Sequence, residues 1–315
     1  MFAAVINSVV PIFGLIFLGW LCGKRGLLNA TATDALNRFV IYLALPALLF
    51  VAMARADLNA MAELGFVASF TLGTIFTTLI YVWLSRNDGL ADLPRMINGM
   101  SVSYANAGFM GIPLILLVFG DQALPIAIIG TVLTVAVQFG YTIVIIEIQR
   151  ARGRSLLPAL KKVALSLLKN PILVATLLGI LCSALGISLP VSIVSGIDLL
   201  GAAATPCALL TIGLFLAQTT VPASTGSVLK IVSLKLFVHP LAVGVLAIGV
   251  FDLDPLWSWC AILATALPVG TGPFMLANLY QQDAALSARA ILISTIGSVM
   301  TLTALIAWVN IQGIA

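Results

Sequence analysis

The sequence predicts an all-α integral membrane fold: ten transmembrane helices in two five-helix halves of inverted topology, with the fourth and ninth helices broken. Three observations predict it. Of 315 residues, 61% are hydrophobic and 8% charged, where a soluble domain carries roughly 25% charged residues. Apolar stretches recur at the length that spans a bilayer, about 20 residues. Two of them are interrupted by Gly, Pro and polar residues at matching places of the two halves, a pattern that points to a transporter binding site.

The first span lies near 4–23, with Pro11 and Gly14 inside it. Residues 2–22 lack a cationic n-region, and Lys24-Arg25 follow the run. The run also exceeds the usual signal-peptide h-region of about 7–15 residues, so it reads as a helix that stays in the protein. The second span, near 35–54, carries Pro46, and the third lies near 62–84. The fourth, near 97–118, holds Tyr104-Ala105-Asn106-Ala107-Gly108-Phe109-Met110-Gly111-Ile112-Pro113. Asn106 places an amide at mid-membrane depth, Gly108 and Gly111 loosen the backbone, and Pro113 removes a donor and clashes with the carbonyl four residues back. Broken backbone is tolerated in a membrane only where protein buries it or a wet cavity receives it.

The fifth span lies near 122–148, and a polar linker runs from Gln149 to Asn170. The sixth, near 171–187, opens on Pro171; the seventh, near 191–217, contains Asp198 and Pro206; the eighth lies near 228–250. The ninth, near 256–280, is interrupted by Leu267-Pro268-Val269-Gly270-Thr271-Gly272-Pro273-Phe274, and the tenth lies near 286–309. The halves are therefore 1–148 and 171–315, around the linker 149–170. Pro46 answers Pro206, and one break answers the other. An odd number of spans per half forces the halves into opposite orientations.

Charge sets the expected orientation, because basic residues prefer cytoplasmic loops. With the N-terminus outside, the cytoplasmic positions hold Lys24, Arg25, Arg38, Arg86, Arg95, the linker cations Arg150, Arg152, Arg154, Lys161, Lys162 and Lys169, then Lys230, Lys235 and Arg289. These are 14 of the 15 Lys and Arg; Arg55 alone falls outside. The outer loops carry Asp57, Glu63, Asp121, Asp252 and Asp254. Both termini are thus expected outside and the basic linker in the cytoplasm. The net charge of +4 reads as topology beside anionic lipid headgroups, with no nucleic-acid partner.

Several function classes drop out. Cys22, Cys182, Cys207 and Cys260 sit in apolar spans without CxxC spacing, and read as small core hydrophobes, with neither a disulfide framework nor a metal site. One histidine, no G-x-S-x-G and no Walker motif leave no enzyme constellation and no cofactor to expect.

Five motifs carry a family resemblance. Asn37-Arg38-Phe39 leads to Leu45-Pro46-Ala47-Leu48-Leu49-Phe50 in the second span; Asn106 precedes Met110-Gly111-Ile112-Pro113 in the fourth. Pro206-Cys207-Ala208-Leu209 precedes Gly213 in the seventh, Lys235-Leu236 precedes His239-Pro240 in the eighth, and Leu267-Pro268-Val269-Gly270 precedes Pro273-Phe274 in the ninth. In that order, at those helix numbers, the chain resembles the auxin efflux carrier family, which includes plant auxin exporters and bacterial carriers of malonate and related organic anions. The family is similar in fold to the bile acid sodium symporters. The resemblance implies a scaffold of helices 1, 2, 6 and 7, a mobile transport domain of helices 3–5 and 8–10, substrate bound where the broken helices cross, elevator-like transport, and a homodimer through the scaffold. Ala105 stands where plant members have proline, and the linker is about twenty residues long. Both features agree with the short bacterial members.

At the crossing, half-helix N-termini offer unpaired N–H groups and partial positive charge to a carboxylate. Asn106 is expected to supply most of the side-chain polarity, because the matching position is about Val269. Its alternative role is a structural amide for the freed carbonyls of its own helix. Gly270, Thr271 and Gly272 expose bare backbone and one hydroxyl. With Ser103, Tyr104, Gly108, Pro113, Pro268 and Val269 they complete the candidate substrate site. No Lys or Arg is expected deep within a span, so helix ends and amides would bind the anion. Candidate coupling groups are Asp198, costly so near a membrane, Gln138 in the fifth span, and His239, which either titrates or packs beside Pro240. Arg55 reads as snorkelling to headgroups. The expected function is a secondary carrier of small carboxylates, malonate-like, in the inner (plasma) membrane. The alternatives are an exporter of auxin-like aromatic monocarboxylates, or a channel or receptor on the same fold. No acid lies in either broken segment, so no obligatory sodium is expected.

Overall fold

A computed structural model describes residues 2–55, 63–151, 161, 164–165, 168–187, 189–218 and 224–313. Asp57, Arg152, Arg154, Lys162 and most of the expected linker lie outside the described residues. Among those described, the chain is helical, and the one strand-like feature is an isolated antiparallel bridge between Ala105 and Val269.

Among the described residues, six helices are long and apolar enough to cross a membrane: α2 (Ala30–Ala54), α3 (Leu64–Leu84), α6 (Asp121–Ile146), α8 (Val191–Gln218), α9 (Thr225–Val250) and α12 (Ala285–Ile311). Between them lie α1 (Phe2–Lys24), α4 (Asp92–Ser101), α5 (Ala107–Phe119), α7 (Pro171–Ala184), α10 (Pro255–Ala266) and α11 (Gly272–Leu279). Large apolar side chains point outward all round the body, among them Phe17, Leu79, Leu177, Leu241 and Met300. A surface this apolar is matched to lipid. The chain is a multi-pass membrane protein.

Helix starts follow local capping. Asn29 Oδ1 accepts from Ala32 N at 2.9 Å, Asn170 Oδ1 accepts from Ile172 N at 3.0 Å, and Asp254 Oδ1 accepts from Leu256 N at 2.9 Å. Each satisfies an N–H that the first helical turn cannot.

Three in-span prolines share one solution. A wide π-turn ends on the residue just before each: Leu45 N bonds to Val40 O ahead of Pro46, Ile112 N to Ala107 O ahead of Pro113, and His239 N to Leu234 O ahead of Pro240. The extra residue relieves the clash between the proline ring and the carbonyl behind it, so the helix continues. Pro113 therefore does not break its span as the sequence suggests; the backbone leaves the helix upstream, over 102–106.

Close approaches at glycine knit α1, α2, α7 and α8 together. A Cβ on Gly213 of α8 would strike the backbone of Ile16 and Trp20 in α1, and one on Gly19 would strike Leu210 of α8. A Cβ on Gly179 of α7 would lie 2.5 Å from Phe50 O of α2, and Gly201 of α8 backs onto Leu48. Small residues let backbones meet where no water drives association. On the other side, α9 packs against α3, α10 and α12, with Gly73 of α3 against Val243.

Candidate functional site

The two broken stretches, 102–106 between α4 and α5 and 267–271 between α10 and α11, meet and run antiparallel. Asn106 N–H donates to Pro268 O at 3.0 Å, and Gly270 N–H donates to Tyr104 O at 2.9 Å. Backbone groups released from two helices thus satisfy each other inside the protein, which membrane burial requires. The pairing sets Ala105 opposite Val269. By the symmetry of those two bonds, Asn106 corresponds to Gly270, one residue beyond the Val269 expected from sequence. The asymmetry is therefore an amide against no side chain at all. Glycine is required here for space: a Cβ on Gly270 would sit 2.8 Å from Ala105 O, and one on Gly272 would run into the Tyr104 ring.

Each break is held from behind by two helices, with different chemistry. Behind the first, Gln138 Nε2 of α6 donates to Ser103 Oγ at 2.7 Å, and Thr78 Oγ1 of α3 lies 2.8 Å from the same oxygen. The Tyr141 hydroxyl lies against this group. Behind the second, Val269 N–H donates to Ser294 Oγ of α12 at 3.0 Å, and Lys235 of α9 donates to Thr265 O at 2.5 Å. Lys235 Nζ also lies 3.3 Å from His239 Nδ1, whose Nε2 is 3.1 Å from Thr74 Oγ1 of α3.

Lys235 overturns two expectations. It is not a solvent-facing base at a span end but is fully buried, 0% exposed, inside α9. A span does therefore contain a deep cation, and it faces the carbonyl end of α10, where the macrodipole is negative. The signal available in sequence was the Lys235/His239 spacing of four, which puts both on one helix face.

In front of the crossing lies a pocket of about 450 Å³. The crossing contributes Asn106, Gly108 and the backbone of Gly270, Thr271 and Gly272. The lining also includes Ile41 and Tyr42 of α2, Phe139 of α6, and Lys169 and Asn170 at the start of α7. Asn106 is 8% exposed. Among the described residues no hydrogen bond is recorded from its side-chain amide to the protein, so its donor and acceptor face the pocket unclaimed.

The candidate residues separate by position. Asn106, Tyr104, Gly108, Gly270, Thr271 and Gly272 line the pocket. Ser103, Pro268 and Val269 lie behind it in the support. Pro113 is buried in α5. Gln138 holds Ser103, and His239 holds Lys235 and Thr74. Asp198 stands apart: its carboxylate pairs with Arg55 at 2.9 Å, with both side chains about half exposed.

Paired backbone breaks facing one ligand-sized pocket, within a lipid-matched body, define a membrane transporter. The chain belongs to the membrane transport protein family, whose model matches residues 4–306 and which includes the auxin efflux carriers. A Rhizobium meliloti protein named "Putative malonate transporter" is 31% identical, over 96% of this chain and 95% of its own length. An "Uncharacterized transporter" of Methanothermobacter thermautotrophicus is 27% identical over 94% and 95%. "Auxin efflux carrier component 8" of Arabidopsis thaliana is 23% identical over 88% and 89%.

Proposed function

We propose that this transporter is a secondary carrier of small carboxylates, with malonate-like dicarboxylates as its first substrates, in the inner (plasma) membrane. The observation that carries the reading is the pocket face made by Asn106 and the bare backbone of Gly270–Gly272, with the N-termini of α5 and α11 beside it. An amide, closely approachable glycine backbone and helix dipoles suit a carboxylate. The name of the 31% identical relative supports malonate.

Counting α4 with α5 and α10 with α11 as single broken spans gives ten, in halves of five around the linker. Helices of spans 3 and 5 support the first break and those of spans 8 and 10 the second, as an inverted repeat demands. In this reading α1, α2, α7 and α8 form a scaffold that also builds the homodimer, the remainder moves as an elevator, and both termini face outside. The membrane potential, which favours exit of anions by about 2.3 kcal/mol per charge per 100 mV, or protons supply the drive.

A second reading, export of aromatic monocarboxylates, is favoured by one observation. The pocket walls are largely apolar, with Ile41, Phe109, Phe139 and Met275 among them, and its volume exceeds what a three-carbon diacid fills.

Uptake of labelled malonate into proteoliposomes in sodium-free medium tests the function. Saturable uptake stimulated by malonate preloaded inside is the expected result. Flux that neither saturates nor responds to preloading makes the protein a channel, stimulation by aromatic acids but not malonate selects the second reading, and an absolute need for sodium refutes the coupling. Orientation is tested with single cysteines at positions 158 and 312 in a cysteine-free background. Impermeant maleimide is expected to label position 312 from outside and 158 from the cytoplasm; labelling of 312 only from the cytoplasm refutes it.

A further inference from the structure

We propose that Lys169 receives the second carboxylate of a dicarboxylate whose first carboxylate lies at Asn106, and so selects dicarboxylates over monocarboxylates. The proposal rests on the carboxylate-carrier reading and extends it to substrate class.

Lys169 belongs, by sequence, to a run of linker bases that topology alone explains. Its place in the structure is distinct. Lys161 is exposed and outside the pocket lining, whereas Lys169 lines the pocket that the crossing opens into. Among the described residues that line the pocket, it is the one Lys, Arg, Asp or Glu. Thr134, Thr271 and the two asparagines are neutral, so the described lining carries a single full charge, and it is positive.

The backbone around it is fixed on both sides. Lys169 N–H donates to Leu165 O at 3.1 Å, and the next residue, Asn170, caps α7 by accepting from Ile172 N and Leu173 N. The first N–H groups of α7 are therefore taken by the cap and do not compete for the ligand. What remains at that end is a long ammonium arm in the same pocket as the unclaimed Asn106 amide. A monocarboxylate satisfies the crossing and leaves the ammonium to water. A dicarboxylate spans both, and its second charge gains a charge-assisted bond at the entrance.

Binding is measured by isothermal titration calorimetry on purified full-length protein in low salt, with malonate and propionate as probes. Wild type, Lys169→Gln, Lys169→Arg and the exposed control Lys161→Gln are compared. The expected result is a five- to tenfold loss of malonate affinity in Lys169→Gln, no change for propionate, and wild-type behaviour in Lys169→Arg and Lys161→Gln. Raising the salt to 0.5 M is expected to erode the malonate preference of wild type but not that of Lys169→Gln, since an exposed ammonium is screened. Equal losses for both acids in Lys169→Gln, an unchanged malonate affinity, or binding of propionate without any preference for malonate overturns the role of Lys169 and leaves the carrier reading standing. Failure of wild type to bind either acid overturns the carrier reading itself, and the proposal with it.

Discussion

Asn106→Ala is expected to weaken carboxylate binding by roughly ten- to a hundredfold while leaving the melting temperature close to wild type. A hydrogen bond to a charged group contributes about 1.5–3 kcal/mol, and each 1.4 kcal/mol is about a factor of ten in affinity. The structure sharpens the expectation. Were the side chain a strut for its own broken helix, it would hold a freed carbonyl. Instead the backbone does that work: Asn106 N–H bonds to Pro268 O, and Asn106 O accepts from Met110 N and Gly111 N. Removing the amide therefore leaves the crossing intact. Asn106→Asp is expected to bind worse still, since it sets a second negative charge in the same pocket as the ligand. Val269→Ala removes apolar contact behind the crossing, where Val269 is fully buried, and is expected to change affinity little. Melting temperature and affinity measured on the same purified variants decide the matter. A well-folded Asn106→Ala protein with unchanged affinity ends the role; a large drop in melting temperature with intact affinity makes Asn106 structural.

The breaks were legible because they violate what an apolar helix wants. Asn106 with two following glycines, and Pro268 with Gly270 and Gly272, have no reason to sit mid-span unless the backbone must open. Their pairing register was not legible. Hydropathy places a break within a few residues, whereas the antiparallel contact is decided by which N–H reaches which carbonyl, and the counterpart of Asn106 proved to be Gly270. The supports were hidden for a different reason. Thr131 and Thr142 bond to the carbonyl four residues back in their own helix, and nothing in sequence distinguishes them from Ser103 or Ser294, which hold the crossing. Pro113 misled because a wide turn absorbed it. Lys235 was hidden by its neighbourhood: five residues after Lys230, near the start of a span, it reads as one more cytoplasmic base. Lys230 is a partly exposed base paired to Asp88 at 2.6 Å; Lys235 is buried.

The buried lysine leads to the second large expected effect. Lys235→Met is expected to lower carboxylate affinity roughly tenfold with the melting temperature unchanged or raised. A cation within a membrane span is costly to bury, and its recorded partners here, Thr265 O and His239 Nδ1, are neutral. Replacing a buried, unpaired cation by an apolar side chain of similar length removes its desolvation cost, set against the partner that Thr265 O and His239 Nδ1 lose. Function pulls the other way. Lys235 bonds two residues before the second break begins, so an ammonium there stands behind the proposed carboxylate site. Two unit charges about 10 Å apart, at an effective dielectric of about 20, interact by about 1.7 kcal/mol, which is a little over tenfold in affinity. Lys235→Arg keeps the charge but not the shape, and its affinity per folded molecule is expected to exceed that of Lys235→Met. His239→Gln keeps an acceptor for the ammonium and is expected to retain near wild-type affinity. Calorimetry with malonate, paired with thermal melts, separates the possibilities. A Lys235→Met protein that melts several degrees lower and binds malonate normally makes Lys235 a strut for the α10 carbonyl end. A protein that melts normally and binds malonate about tenfold more weakly makes it the charge that draws a carboxylate to the crossing.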